Sequence, residues 1–230
     1  MQHSKENLNG PLLEVINNSG KTHTIQAFAQ WQYRPSNNIT FDSGFHYLQL
    51  LYNNSSAIEP RASVKWDINQ KNSLAFGYGL QSQVQPLGVY FAQGKGQYGS
   101  TIHPNKNLGL AKSNHFVLSY NKLLGSNLRL KTELYYQQLF NVPVSTSDTN
   151  ALSLLNIQGE YITDALINTG KGKNYGAEIS LEKYLANHFY LMWSNSFYQS
   201  RYIASDGIKR NTRINGNFIT NLVTGKEFVS

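Results

Sequence analysis

Side chains able to do chemistry are thinly spread along this chain. Its six histidines, His3, His23, His46, His103, His115 and His188, stand far apart without H-x-x-x-H spacing, and there is no cysteine. A tetrahedral metal site is therefore not indicated. Two Gly-Lys pairs resemble pieces of a phosphate loop, but Gly88 precedes Gly94-Lys95 by one residue too many and Gly96 occupies the place of the magnesium-binding hydroxyl. Gly170-Lys-Gly-Lys173 leads directly into Asn174; both pairs read as loop glycines. Glu178 and Glu182 would share one face of a strand at about 13 Å, beyond the roughly 5–9.5 Å of glycosidase carboxylates. No Gly-x-Ser-x-Gly elbow occurs. The chain is expected to be neither an enzyme nor a cofactor carrier.

The polar residues that remain are suited to binding. Glu59, Arg61, Lys65 and Asp67 alternate along one segment, and Arg129, Lys131 and Glu133 along another. Such mixed-sign rows suit the water-filled inner wall of a pore, where they can pair with one another or with a body filling it. Between Gln81 and Tyr98 amides and aromatic rings are interleaved. Gln83, Gln85, Tyr90, Phe91 and Tyr98 are the candidate ligand contacts there, by hydrogen bonding and stacking.

Alternation at period two is what must position these groups. From Ile58 to Ile68 the residues Ile58, Pro60, Ala62, Val64, Trp66 and Ile68 alternate with Glu59, Arg61, Ser63, Lys65 and Asp67. A helix, turning 100° per residue, would smear both sets around its axis; a pleated strand sends them to opposite faces. Similar stretches recur near 24–34, 39–51, 73–81, 115–122, 127–140, 174–185, 188–201 and 213–224, giving roughly nine strands. Many exceed the usual length, and a transmembrane strand needs about 9–11 residues. Connections alternate as well. Links at 35–38, 69–72, 124–126 and 186–187 are short, whereas those at 52–57, 82–114, 141–173 and 202–212 are longer, the order of periplasmic turns and extracellular loops in outer-membrane barrels. Trp31, Tyr33 and Trp66 lie beside short turns, where an interfacial aromatic girdle would sit.

Composition narrows the class further. The 230 residues are 13% aromatic but only 14% charged, which disfavours disorder. No run approaches the roughly 20 apolar residues of a membrane helix. The net charge of +7 is scattered rather than gathered into a patch, so nucleic acid is not an expected partner. Met1–Gly10 has no basic segment followed by an apolar one, so an export signal is expected upstream if the protein works outside the cytoplasm. The sequence thus predicts an all-β, antiparallel, up-and-down transmembrane barrel segment over 22–228, with 1–21 as a surface lead-in. The competing expectation is a soluble β-sandwich or barrel that binds carbohydrate or another small ligand, with its apolar face turned inward.

Several blocks carry a family resemblance. Ile58-Glu-Pro-Arg-Ala-Ser-Val-Lys-Trp66, Asn72-Ser-Leu-Ala-Phe-Gly-Tyr-Gly79 and Gln85-Pro-Leu-Gly-Val-Tyr-Phe91 are followed by Leu134-Tyr-Tyr-Gln-Gln-Leu-Phe-Asn-Val-Pro143, Asn174-Tyr-Gly-Ala-Glu-Ile-Ser-Leu-Glu-Lys183 and Arg210-Asn-Thr-Arg-Ile-Asn-Gly-Asn217. In order and spacing these blocks resemble the barrel of TonB-dependent outer-membrane receptors of the Bacteroidetes type. The resemblance implies an importer in the Gram-negative outer membrane, with a barrel of about 22 strands. It also implies a plug domain of the same receptor inside the barrel, a TonB complex pulling on that plug, surrounding outer-membrane lipid, and an imported ligand such as a chelated metal, glycan, peptide or vitamin. No plug segment is recognisable here and the sequence stops at Glu227-Phe-Val-Ser230, so the chain is expected to be part of such a receptor.

Overall fold

The computed structural model describes residues 2–5, 13–17, 20–95, 97–157, 162, 164–186 and 188–228. Near the start, β1 (Gln2–Lys5) and β2 (Leu13–Asn17) pair as a small antiparallel ladder in the segment expected to be a lead-in. Then come β3 (Thr24–Ser36), β4 (Ile39–Leu50), β5 (Ser55–Asn69) and β6 (Asn72–Gln83). A single helical turn, α1 (Leu87–Tyr90), and a minor pair, β7 (Gly94–Lys95) and β8 (Thr101–Ile102), occupy the first long loop. The series resumes with β9 (Ala111–Leu123), β10 (Leu128–Ser145), β11 (Leu166–Ala186), β12 (Phe189–Ile203), β13 (Lys209–Asn211) and β14 (Phe218–Lys226).

From β3 to β12 the large sheet keeps strand order equal to sequence order, every pair antiparallel, with only the small β7–β8 hairpin standing outside it. This is the up-and-down wall the alternation predicts. β13 and β14 lie end to end along the same edge of β12. The strand expected at 213–224 therefore begins only at Phe218, while a short strand, β13, forms before it in the segment expected to be a loop. Residues 212–217 bulge opposite 198–200, held by Thr212 N–H donating to Ser200 O at 2.9 Å and Tyr198 N–H to Asn217 O at 2.8 Å. Asn217 takes a positive φ of 65°, a conformation asparagine tolerates.

The ends of the wall differ. At one end Asn69 closes a turn through its own side chain, its Oδ1 accepting from Lys71 N–H at 2.9 Å and from Asn72 Nδ2 at 2.8 Å. At the other end the connections are 51–54, 84–110, 146–165 and 204–217. The first of these is a tight turn, so the alternation of short and long links holds at three of the four positions. The glycine-lysine segment Gly170–Lys173, expected in a loop, lies inside β11. Its glycines pack inward, a Cβ at Gly172 meeting Leu155 Cδ1 at 2.9 Å and Leu139 Cδ1 at 3.2 Å, while Lys171 and Lys173 are exposed.

Among the described residues the sheet has no apolar core along most of its length; only near the long-loop end do strand residues such as Leu48, Ala57, Val144 and Tyr202 become buried. Register places Ile58, Pro60, Ala62, Val64 and Trp66 on one face with Phe41, Phe45, Phe76, Leu118 and Leu134. These side chains are open: Ile58 is 65% exposed, Phe45 53% and Leu134 50%. The chain exposes 15014 Å², where a compact monomer of its mass exposes about 10,500 Å². The inward-turned apolar face of a soluble sandwich is not what this sheet has. The largest buried cluster, Leu50, Val89, Tyr90, Leu108, Ile162 and Leu166, joins the strand ends to the loops above them.

Candidate functional site

The opposite face of the wall is polar because one residue in two is polar. Asp42, Glu59, Asp67, Glu133, Glu178 and Glu182 are all the carboxylates of β3 to β14, and cross-strand register puts every one of them on this face. Arg61, Lys65, Arg129 and Lys131 share it. Each of these cations is already neutralised within the wall. Lys65 Nζ lies 2.8 Å from Asp67, Lys131 Nζ 2.6 Å from Glu133, and Arg129 Nη1 3.7 Å from Glu182. Arg129 also donates to Asn121 Oδ1 at 2.8 Å. Half-exposed pairs of this kind contribute about 0–1 kcal/mol each. Their effect is mainly to cancel charge.

Glu59 is different, being only 3% exposed. Pairing between β5 and β6 ends at Arg61 opposite Gly79, after which the strands part. The Glu59 carboxylate fills the split. Its Oε1 accepts from Ser82 N–H at 2.9 Å, and its Oε2 lies 2.9 Å from His46 Nδ1 and 3.5 Å from Arg61 Nη2. It thereby replaces the backbone acceptor that Ser82 lost when the ladder opened.

Further along the same face a directed chain of neutral hydrogen bonds crosses three strands. Thr212 Oγ1 donates to Ser200 Oγ at 2.7 Å, Ser200 Oγ to Asn174 Oδ1 at 2.7 Å, and Asn174 Nδ2 to Gln137 Oε1 at 3.0 Å. Tyr135, Tyr198 and Glu178 line the same concavity. Tyr135 covers Gly176, where a Cβ would stand 2.8 Å from its hydroxyl, so only glycine lets that ring lie flat across the strand. Sequence reasoning missed this ladder; its residues do share one parity of their strands, which was the available signal.

The loop candidates divide. Tyr90 is fully buried and Gln85 is 8% exposed, with Gln85 N–H donating to the Tyr90 hydroxyl at 3.4 Å. Burial pushes the Tyr90 phenol above its ordinary pKa, so it stays protonated. Phe91 is half-buried and meets the Tyr52 ring edge-on at 4.9 Å. Gln83 is exposed at the long-loop end of β6, and Tyr98 is wholly exposed. Gln85, Tyr90 and Phe91 are thus brought together as packing, while Gln83 and Tyr98 present surface. Gly96 lies outside the described residues. Asn105, fully buried, clamps this loop to the next one: its Nδ2 donates to Asp164 O at 2.9 Å and its Oδ1 accepts from Leu166 N–H at 2.8 Å.

On the apolar face, Trp31 and Tyr33 stack at 5.6 Å near the short turns, and Trp66 is 45% exposed at a similar level. A second aromatic row, unnoticed in the sequence, runs across four adjacent strands towards the long-loop end as Tyr78, Phe116, Tyr136 and Tyr175. Ring centroids of its first two pairs are 5.1 and 6.4 Å apart. Among the described residues there is no cluster of groups able to hold a metal ion.

Solved structures with this fold include three receptors. The pyoverdine outer membrane receptor FpvA from Pseudomonas aeruginosa superposes with a TM-score of 0.65 at 15% identity, over 91% of this chain and 29% of its own. The alcaligin outer membrane receptor FauA from Bordetella pertussis gives 0.62 at 14% identity, over 91% and 35%. The ferric-catecholate import receptor Fiu from E. coli K12 gives 0.62 at 12%, over 88% and 32%. The chain spans about a third of the length of each. At such identities the likeness is one of fold. No curated protein matches the sequence. The family described as "TonB dependent receptor-like, beta-barrel" matches residues 3–224, nearly the whole chain, and together with the inside-out wall this places the protein in the family of TonB-dependent receptor-like β-barrels.

Proposed function

We propose that this chain forms barrel wall and extracellular loops of an active importer of the Gram-negative outer membrane, energised by a TonB complex acting on a plug domain of the same receptor. The observation that carries this reading is the polarity of the sheet: apolar side chains stand open on one face and every strand carboxylate lies on the other. Lipid tails cover the first face and the lumen and plug lie against the second. Glu59, Arg61, Lys65, Asp67, Arg129, Lys131 and Glu133 are the plug-facing set. Because their charges cancel within the wall, they offer the plug hydrogen bonds rather than net charge. Phe28 of β3, directly opposite His46 of β4 and 81% exposed, adds an apolar contact.

Among the described residues the outer edge of β3 and that of β14 have no partner strand. In hydrocarbon each unpaired backbone group costs several kcal/mol, which supports a wall completed by further strands to about 22. We take the receptor to be of the Bacteroidetes type. Gln83 and Tyr98 are the proposed ligand contacts, with Gln85, Tyr90 and Phe91 holding the loop that carries them. Structures of similar fold include receptors for ferric catecholate, pyoverdine and alcaligin and the copper transporter OprC, so chelated iron and copper are the first cargoes to try.

Uptake of those metals by cells with and without the gene, before and after collapse of the proton gradient, tests the proposal. Import is expected to fall in both the deletion and the de-energised cells. Metal entry that depends on the gene yet ignores the gradient would contradict active transport.

A further inference from the structure

On the outward, apolar face of β9 and β11 no cation stands within the central stretch of either strand. That stretch is bounded on β9 by Lys122 and Lys112 and on β11 by Lys183 and Lys173, with Lys171 lying beyond Lys173 before the strand runs on to Leu166. In both strands the spacing is ten residues (122 − 112 and 183 − 173). That is about 33 Å along the strand, or about 25 Å in height at a tilt of about 40°, the thickness of the apolar band of an outer-membrane barrel. The two rims are not alike. At the long-loop rim Lys173 lies directly opposite Arg201, with Lys171 one outward position above and Lys209 and Lys112 flanking. Like charges directly opposite on a sheet repel. Among the described residues none of these five belongs to an ion pair, in contrast with the cancelled pairs of the inner face, and no strand carboxylate faces outward. Arg201 Nε is buried without a hydrogen-bond partner. Just below runs the aromatic row ending at Tyr175, which marks the headgroup level.

We infer that Lys171, Lys173 and Arg201, flanked by Lys112 and Lys209, bind the phosphate of a phosphorylated lipid headgroup in the outer leaflet of the membrane. The inference rests on the barrel reading, which turns this face to lipid and this rim to the cell exterior. A phosphate seated between Lys173 and Arg201 removes their repulsion and supplies an acceptor for guanidinium N–H groups. The acyl chains of the same molecule lie on the apolar side chains below. A soluble polyanion satisfies the charge but not the apolar surface beneath it, and the continuity of the two surfaces favours a lipid.

The test uses the receptor extracted from the outer membrane in detergent and titrated with lipid A bearing both phosphates, with dephosphorylated lipid A, and with inorganic polyphosphate. The phosphorylated lipid is expected to bind best. Its affinity should fall on the order of a hundredfold in the Lys171→Gln, Lys173→Gln, Arg201→Gln triple variant, at about 1 kcal/mol per cation near a charged membrane surface. It should persist when Lys122 and Lys183 at the opposite rim become Gln. Unchanged affinity in the triple variant, or equal affinity for polyphosphate, overturns the site. Heat-modifiable electrophoretic mobility on the same samples separates the two readings. A variant that keeps the barrel shift and also keeps its lipid affinity sinks the lipid site alone, whereas a wild-type receptor without any shift sinks the barrel reading beneath it.

Discussion

Glu59 sits where β5 and β6 part, and one carboxylate there satisfies a backbone N–H, a histidine ring and a guanidinium. Removing it leaves Ser82 N–H and His46 without their partner in a site that is 3% exposed. Glu59→Ala is therefore expected to destabilise the folded wall by about 1–3 kcal/mol, read as a lower midpoint in denaturant titration within bilayers. Glu59→Gln keeps an acceptor for Ser82 and is expected to cost less than half as much. Equal losses in the two variants would show that charge rather than hydrogen bonding holds the split. Parity alone gave the side of the sheet on which Glu59 lies. Its partners were not legible, because the point at which β6 parts from β5 while staying paired with β9 depends on pairings between distant strands.

Among the elements, the strands were readable and the loops were not. Alternation survives in β5 because Arg61 to Trp66 holds one register against both neighbours. It fails at Gly170–Lys173, where glycine and lysine imitate a loop. There the missing side chains make room for Val144, Leu139 and Leu155, and the lysines stand outward on a continuous strand. Loop packing is set by contacts such as that of Asn105 with Asp164 and Leu166, some 60 residues away. Asn105→Ala leaves both backbone groups without their partner, at about 1–3 kcal/mol each. Faster amide hydrogen exchange is expected at Leu166 and across 84–110, with the β9–β10 ladder unchanged. Uniformly faster exchange through β9 and β10 would mean that the loops and wall unfold as one unit.

For the molecule as a whole, the two faces of the wall call for two different media. The roughly 40% excess of exposed area over a compact monomer follows from a wall whose apolar side is left open. The chain contains no cysteine, so single cysteines can be introduced one at a time without background. Neighbouring positions on three strands give the contrast: Val64 and Lys65 on β5, Leu118 and Ser119 on β9, Leu134 and Glu133 on β10. With the receptor in bilayers, spin labels at Val64, Leu118 and Leu134 are expected to be relaxed by oxygen dissolved in lipid tails. Labels at Lys65, Ser119 and Glu133 should instead be shielded from lipid and meet only plug or lumenal water. Labels that fail to alternate, or outward positions that respond to a water-soluble relaxing agent as strongly as inward ones, would contradict a lipid-facing wall.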